Sequence, residues 1–393
     1  MITVDTALRI LKGKLYSLNQ FERKSLNQSV GYVLFEDIIS PINMPPFAQS
    51  AMDGYALCLH DSLNYNLIDE VKAGDNRNPQ LKKGEAVRIF TGAPVPKTAN
   101  AVIMQEKVLV NNNIITISEH INSGTNIRLI GEQIKLNDVA LKNGIKLNAA
   151  SIGFLTSLGI TEVKVYKKPS IAIVVTGNEL AKSGEPLAYG QIYESNSDML
   201  KVALNSIGYN EISTHKVEDD YTKTKNKLEN VMANHDVVLV SGGISVGDYD
   251  FVGKALQELE VEQLFYKVKQ KPGKPLFFGK KRDKVIFALP GNPAAALSCF
   301  YIYVQTALQI LSGDVNFFLN RITAKSDSSF IKKGDRAQFL KAIYKKGKVT
   351  ILDGQSSSML HTFALANALV FIPETKIKVK INEDVEVILL PIN

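Results

Sequence analysis

Carboxylates recur at the ends of apolar runs in this chain, beside loops rich in glycine. That combination suits a phosphate group and a divalent cation. The run at residues 236–240 breaks into Ser241-Gly242-Gly243-Ile244-Ser245-Val246-Gly247-Asp248, and Asp250 follows closely. Glycines let the main chain approach a ligand, and the free N–H groups at a helix start attract negative charge. Asp248 and Asp250 place carboxylates at the same mouth, as a metal bridging phosphates requires. The loop matches neither G-x-x-x-x-G-K-[ST] nor G-x-G-x-x-G, so an ordinary P-loop or dinucleotide site is not indicated. A tight strand-to-helix turn, which open parallel sheets need in any case, would have the same composition. The loop alone leaves both readings open.

Three further apolar runs end in a similar way. Residues 170–175 lead into Thr176-Gly177-Asn178-Glu179, residues 211–217 into Glu218-Asp219-Asp220, and residues 284–289 into Pro290-Gly291-Asn292-Pro293. Between them, Leu200, Ala203, Leu204 and Ile207 share a helical face, as do Leu228, Val231 and Met232. Val252, Ala255, Leu256 and Leu259 form a third such face. Strands alternating with helices predict a doubly wound parallel sheet in an α/β domain. Ligands on such sheets sit at the carboxyl ends of the strands, where Thr176, Glu179, Asp219, Ser245, Asp250 and Pro290 would converge.

Length and composition bound the rest. At 393 residues the chain exceeds one compact core, so two to four domains are expected. An apolar share of 45% with 22% charge fits a soluble globular protein. The net charge of +7 comes from lysines spread along the whole chain, which suits a solvated basic surface and not a nucleic-acid stripe. Cys58 and Cys299 form no C-x-x-C, so neither a zinc site nor a disulfide framework is indicated; both read as buried apolar fillers. No apolar run approaches a membrane span and no signal region opens the chain, so a cytoplasmic location is the expectation.

Pattern changes outline the organisation. The first 43 residues begin as a helix, with Ala7, Ile10, Leu11 and Leu15 on one face, and continue extended. From residue 44 to about 138 short β-branched runs dominate, and Val108-Leu109-Val110, Asn111-Asn112-Asn113 and Ile114-Ile115-Thr116-Ile117 spell a hairpin. Residues 149–159 return to helix, Lys167-Lys168-Pro169 marks a boundary, and the tail alternates as a small all-β domain. Two loops stand out in the strand-rich part, residues 45–56 around Asp53 and Thr91-Gly92-Ala93-Pro94-Val95-Pro96. Each can present polar groups to a ligand or simply turn the chain.

In order along the chain come SAMDGYA (50–56), TGAPVP (91–96), AVIMQE (101–106), VVTGNEL (174–180), SGGISVGDYDF (241–251), KPGKP (271–275) and LPGNPAAA (289–296). Together they resemble the molybdopterin molybdenumtransferases, the molybdenum-insertion enzymes of molybdenum-cofactor biosynthesis, to which the gephyrin E domain is similar. The resemblance covers nearly the whole chain. It implies a helical linker domain built from residues 1–43 and 139–168, and a β-rich inserted domain at 44–138. It also implies an α/β domain at 169–315, like molybdopterin adenylyltransferase, and a C-terminal β-barrel at 316–393. An elongated homodimer is implied, with each active site between the α/β domain of one subunit and the β domain of the other.

The reaction implied takes adenylylated molybdopterin and molybdate, releases AMP and leaves molybdenum on the pterin dithiolene. Ser241, Gly242, Gly243, Pro290 and Pro293 would bind substrate, with glycine N–H groups on the pyrophosphate. Glu179, Asp219 and Asp250 would hold Mg²⁺. Asp53 and Thr91 would join them from the other subunit. Lys271 and Lys274, braced by Pro272 and Gly273, would hold molybdate as point charges, with Ser245 as a hydroxyl donor. Lys341 would stand where the family carries an arginine, and Ser357 would match a nearby serine. Asn178 and Gln133 depart from acidic residues usual in the family.

Molybdopterin adenylyltransferase and recipient molybdoenzymes are the implied partners; nucleic acid and membrane are not. Two other readings share the motifs: the adenylyltransferase step itself, and a non-enzymatic scaffold of the gephyrin kind. The flanking β domains argue against the first, and the retained charged residues against the second.

Overall fold

The computed structural model describes residues 1–244, 251–317 and 319–391. Its centre is a six-stranded sheet in the order Ile212–Val217, Ile171–Thr176, Val237–Ser241, Lys284–Leu289, Phe277–Lys281, Glu262–Tyr266. Side chains along the inner strands alternate between two cores. Ile171, Ile173, Val175, Val237 and Leu239 face one layer; Ala172, Val174, Val238 and Val240 face the other. A strand that is apolar at every position needs cover on both sides, which explains the unbroken Val/Ile runs. Helices Asn196–Ser206 and Pro293–Cys299 cover the first face, and Tyr221–Asn234 and Phe251–Glu258 the second.

The expected parallel arrangement holds for the first four strands of that order. Phe277–Lys281 differs: it runs antiparallel to both neighbours. Only Arg282 and Asp283 separate it from Lys284–Leu289, and a parallel crossover needs a dozen residues or more.

The helix Val4–Lys14 is capped by Thr3, whose hydroxyl accepts the Thr6 N–H at 3.2 Å. Its stripe of Val4, Ala7, Leu11 and Leu15 is buried in the same core as Leu308 and Leu311 of the α/β domain. Strands Phe21–Ser25 and Glu162–Tyr166 pair antiparallel and join the two linker segments on either side of the insertion. The inserted part is a six-stranded sheet spanning Gly54–Leu57 to Ile114–Ile117. The expected hairpin forms between Val108–Asn111 and Ile114–Ile117, with Asn112 at a left-handed φ of 53°.

The C-terminal part is a closed five-stranded barrel. Ala337–Lys345 pairs with Lys348–Ile351 on one side and Ala368–Ile372 on the other, and Arg321–Ser326 and Asp384–Leu389 complete the ring. Gln270–Lys271, from the α/β domain, adds in parallel beside Ala337 and Gln338. Contrary to the expectation of no such run, Pro293–Leu311 is long and apolar enough to cross a bilayer, at 19 residues and a mean hydropathy of 1.4. Its most apolar window is 89% buried inside the protein, so its composition is that of a core helix.

Leu11 tests how firmly the first helix belongs to the α/β core, since its side chain is fully buried there. Leu11→Ala is expected to cost about 2–5 kcal/mol, the range for a core leucine. A urea titration followed by circular dichroism measures it; a cost under about 0.5 kcal/mol, the usual size of a surface change, would mean the helix is only loosely attached.

Candidate active site

A cleft of about 570 Å³ opens at the carboxyl ends of the parallel strands. Of the residues singled out from sequence, it gathers Glu179, Asp219, Ser241, Gly242, Gly243, Pro290 and Pro293 on its walls. Four separate segments supply them. Ser245 and Asp250 lie outside the described residues.

The floor is shaped by a close approach of main chain to main chain. Gly242 and Gly243 have φ of +95° and +60°. A Cβ on Gly242 would lie 2.7 Å from the Thr176 carbonyl oxygen, and one on Gly243 2.8 Å from Val252 Cγ2. Neither position accepts a side chain. Beside them the Thr176 hydroxyl is buried in the cleft wall with no hydrogen-bond partner among the described residues.

Asn196, at the first turn of helix Asn196–Ser206, was not picked out from sequence. Its amide donates to Ser241 Oγ at 2.8 Å and to the Gly291 carbonyl at 2.7 Å, tying two cleft loops together. Its Oδ1 is buried without a partner among the described residues. Glu194 fixes the start of that helix by accepting the Ser197 N–H at 2.9 Å. The signal was present as Glu194-Ser195-Asn196-Ser197-Asp198 immediately before an apolar helical face, a recognisable helix start.

Asp219 is held by a reciprocal pair with Asn178: Asn178 N–H donates to Asp219 Oδ2 at 3.2 Å, and Asp219 N–H donates to Asn178 Oδ1 at 3.0 Å. Asn178 therefore ties the mouths of adjacent strands without adding a second negative charge. Among the described residues no three His, Cys, Asp or Glu side chains converge as a metal cluster. Magnesium, however, needs only one or two carboxylates and fills its octahedron with water and phosphate oxygens. Glu179, Asp219 and the unpartnered Thr176 hydroxyl form a hard-oxygen set of that kind, so the residues present fit such an ion.

Lys271 and Lys274 are exposed beside the cleft, whose wall includes the next residue, Pro275. Their loop is anchored from below. Gln270 is fully buried; its amide donates to the Gly273 carbonyl at 3.1 Å and its Oε1 accepts the Tyr303 hydroxyl. A Cβ on Gly273 would collide with Cys299 Sγ. Burial pushes the Cys299 thiol up to about 12, which leaves it an inert filler.

Lys341 is placed differently from the oxyanion role expected of it. It is 3% exposed, and its Nζ donates to the carbonyls of Gly354, Ser356 and Met359 at 2.7, 3.1 and 3.0 Å. All three ammonium donors are thus used inside the barrel domain. What they hold is the loop carrying Ser357. Ser357 Oγ accepts from the Asn292 amide at 3.1 Å, and Asn292 lines the cleft. Lys341 reaches the site only through that loop.

Asp53 and Thr91 meet each other away from this cleft. Asp53 Oδ1 accepts the Thr91 N–H at 2.7 Å and its hydroxyl at 2.8 Å, and these bonds hold the carboxyl below its usual value. The pair is therefore intact at neutral pH and is lost as pH falls through that lowered value. No residue between 44 and 138 lines the cleft of the same chain.

Residues 2–159 match the MoeA N-terminal region (domain I and II), residues 172–310 the probable molybdopterin binding domain, and residues 323–390 the MoeA C-terminal region (domain IV). The molybdopterin molybdenumtransferase of Haemophilus influenzae is 35% identical, over 98% of each chain. The chain belongs to the molybdopterin molybdenumtransferase family. Another member, from Staphylococcus epidermidis, is 32% identical over 94% of this chain and 91% of its own. The crystal structure of the molybdopterin biosynthesis MoeA protein from Pyrococcus horikoshii superposes with a TM-score of 0.86 at 29% identity, covering 99% of this chain and all of that one. The cleft described above falls within the segment that matches the molybdopterin binding domain.

Lys341→Met removes the donors from three carbonyls while keeping side-chain length. Hydrogen bonds to a charged group contribute about 1.5–3 kcal/mol, so a clear fall in the thermal midpoint is expected. Lys341→Arg is expected to destabilise as well, because a planar fork does not reproduce three donors on one nitrogen. Unchanged stability with weakened molybdate use would instead place Lys341 in direct contact with the oxyanion.

Proposed function

We propose that this chain transfers molybdenum from molybdate to adenylylated molybdopterin and releases AMP. The observation that carries this reading is one cleft with the carboxylates of Glu179 and Asp219 at the strand ends, a side-chain-free glycine floor and two helix starts, in a chain of this family. Main-chain N–H groups at Gly242 and Gly243, with the starts of helices Asn196–Ser206 and Pro293–Cys299, would hold the pyrophosphate oxygens. Glu179 and Asp219 would hold Mg²⁺, which when bound would supply positive charge beside the phosphate oxygens. Asn178 keeps the Asp219 carboxylate oriented while its own amide stays neutral. Lys271 and Lys274, exposed on an anchored loop beside the cleft, would attract the molybdate dianion.

The same reading takes the working unit to be a homodimer. Asp53 and Thr91 form a rigid pair far along the chain from the cleft residues and line no part of their own subunit's cleft. A second copy would bring them to it, and a closed two-fold dimer makes two such sites.

Purified protein given adenylylated molybdopterin, molybdate and magnesium without oxygen is expected to release AMP. Asp219→Ala should abolish that release while the fold persists, and near-normal turnover in that variant would overturn the assignment. Mixing Asp53→Ala chains with Asp219→Ala chains should restore activity to roughly a quarter of the sites if subunits exchange at random. Mixed dimers that stay inactive would place the whole site within one chain.

A further inference from the structure

A second cavity, of about 410 Å³, lies where the linker segments meet the α/β domain, away from the cleft. Tyr32 and Lys146 of the linker, Lys168 at the domain boundary, and Gly208 and Tyr209 after helix Asn196–Ser206 line it, together with Asp314 beyond helix Gln305–Leu311. Nothing in the reaction proposed above uses it.

Its electrostatics are unbalanced. Lys168 Nζ donates to the Gly208 carbonyl at 2.7 Å and sits 4.2 Å from the centre of the Tyr32 ring and 5.3 Å from that of Tyr209. Apart from these two ring faces and the Gly208 carbonyl, Lys168 Nζ has no further acceptor among the described residues, and neither Lys168 nor Lys146 has a carboxylate ion-pair partner there. Lys24 adds a second ammonium over Tyr32, at 4.6 Å, but is paired with Glu22 at 3.1 Å. The one carboxylate on the wall, Asp314, accepts the Asn316 N–H at 2.9 Å and forms no ion pair with either lysine. Burial, and then repulsion from Lys146 and Lys24, lower the Lys168 ammonium to about 8 against a smaller opposing attraction from Glu22. A half-buried cation with no carboxylate ion-pair partner costs free energy that an anion would offset.

We propose that this interdomain cavity binds a small oxyanion of the phosphate type, held between Lys168 and Lys146. Lys168 and Lys146 both line the cavity, so two ammonium charges, one from the domain boundary and one from the linker, face the same space beside the tyrosine rings. Compact tetrahedral anions suit the space, because ammonium groups bind as point charges and impose no planar geometry. Since Lys168 reaches the Gly208 carbonyl of the α/β domain, an anion there fastens the linker to that domain. The site is independent of the reading of the catalytic cleft.

Local acylation tests it without relying on activity. The protein is treated with a trace of an N-hydroxysuccinimide ester in phosphate or in chloride of equal ionic strength, and acylation at Lys168 is followed by peptide mass spectrometry. Phosphate at about ten times a millimolar dissociation constant should slow Lys168 about tenfold. Exposed Lys72 serves as the unprotected reference. Phosphate bound only at the glycine floor of the cleft would leave the Lys168 rate equal in both salts, and that result overturns the proposal. Lys146→Gln, at an exposed position, should weaken the protection. Undiminished protection in that variant would also overturn the proposed placement.

Discussion

The close contact between the end of strand Ile171–Thr176 and the turn at Gly242–Gly243 is the constraint on which the site depends. Gly242 meets the Thr176 carbonyl of the neighbouring parallel strand, and Gly243 meets the side chains of Val252 and Thr176, with no room for a side chain at either glycine. Because the strands are buried on both faces, neither can shift to relieve the crowding. Ser241, Gly242, Gly243 and Ile244 of that loop line the cleft. Asn196 then fastens that loop to the next one, and Asn178 fastens the strand ends on the other side. The cleft is a product of sheet packing before it is a product of any single functional residue.

Much of this was legible in the chain. Continuous apolar runs ending in glycine or acid give away a two-sided sheet and the end at which its ligands bind, because burial and loop chemistry both leave local marks. Lys341 shows what a local pattern cannot tell. A lysine in an alternating strand looks like a charge available to an oxyanion, but its environment is set by the Gly354–Met359 loop folding back over it. The return path of a distant loop has no signature in the residues around position 341.

Asn196 marks a gap of another kind. Its position at a helix start is visible, yet its two hydrogen bonds go to Ser241 and Gly291, residues 45 and 95 positions away. Sequence periodicity reports which face of an element is buried, and says nothing about which neighbours an amide will reach. The N-terminal helix makes the same point through packing. Its apolar stripe was readable, but only the tertiary structure shows that it completes the α/β core.

The short strand Gln270–Lys271 joins the barrel edge, and the loop immediately after it carries Lys274 beside the cleft. The barrel is therefore geared to the mouth of the site. A shift of Ala337–Lys345 within the barrel would be transmitted through the paired backbone to the two ammonium groups, and through the Ser357 loop to Asn292. Drift in barrel residues far from any ligand can in this way retune the site over evolutionary time while every cleft residue stays the same.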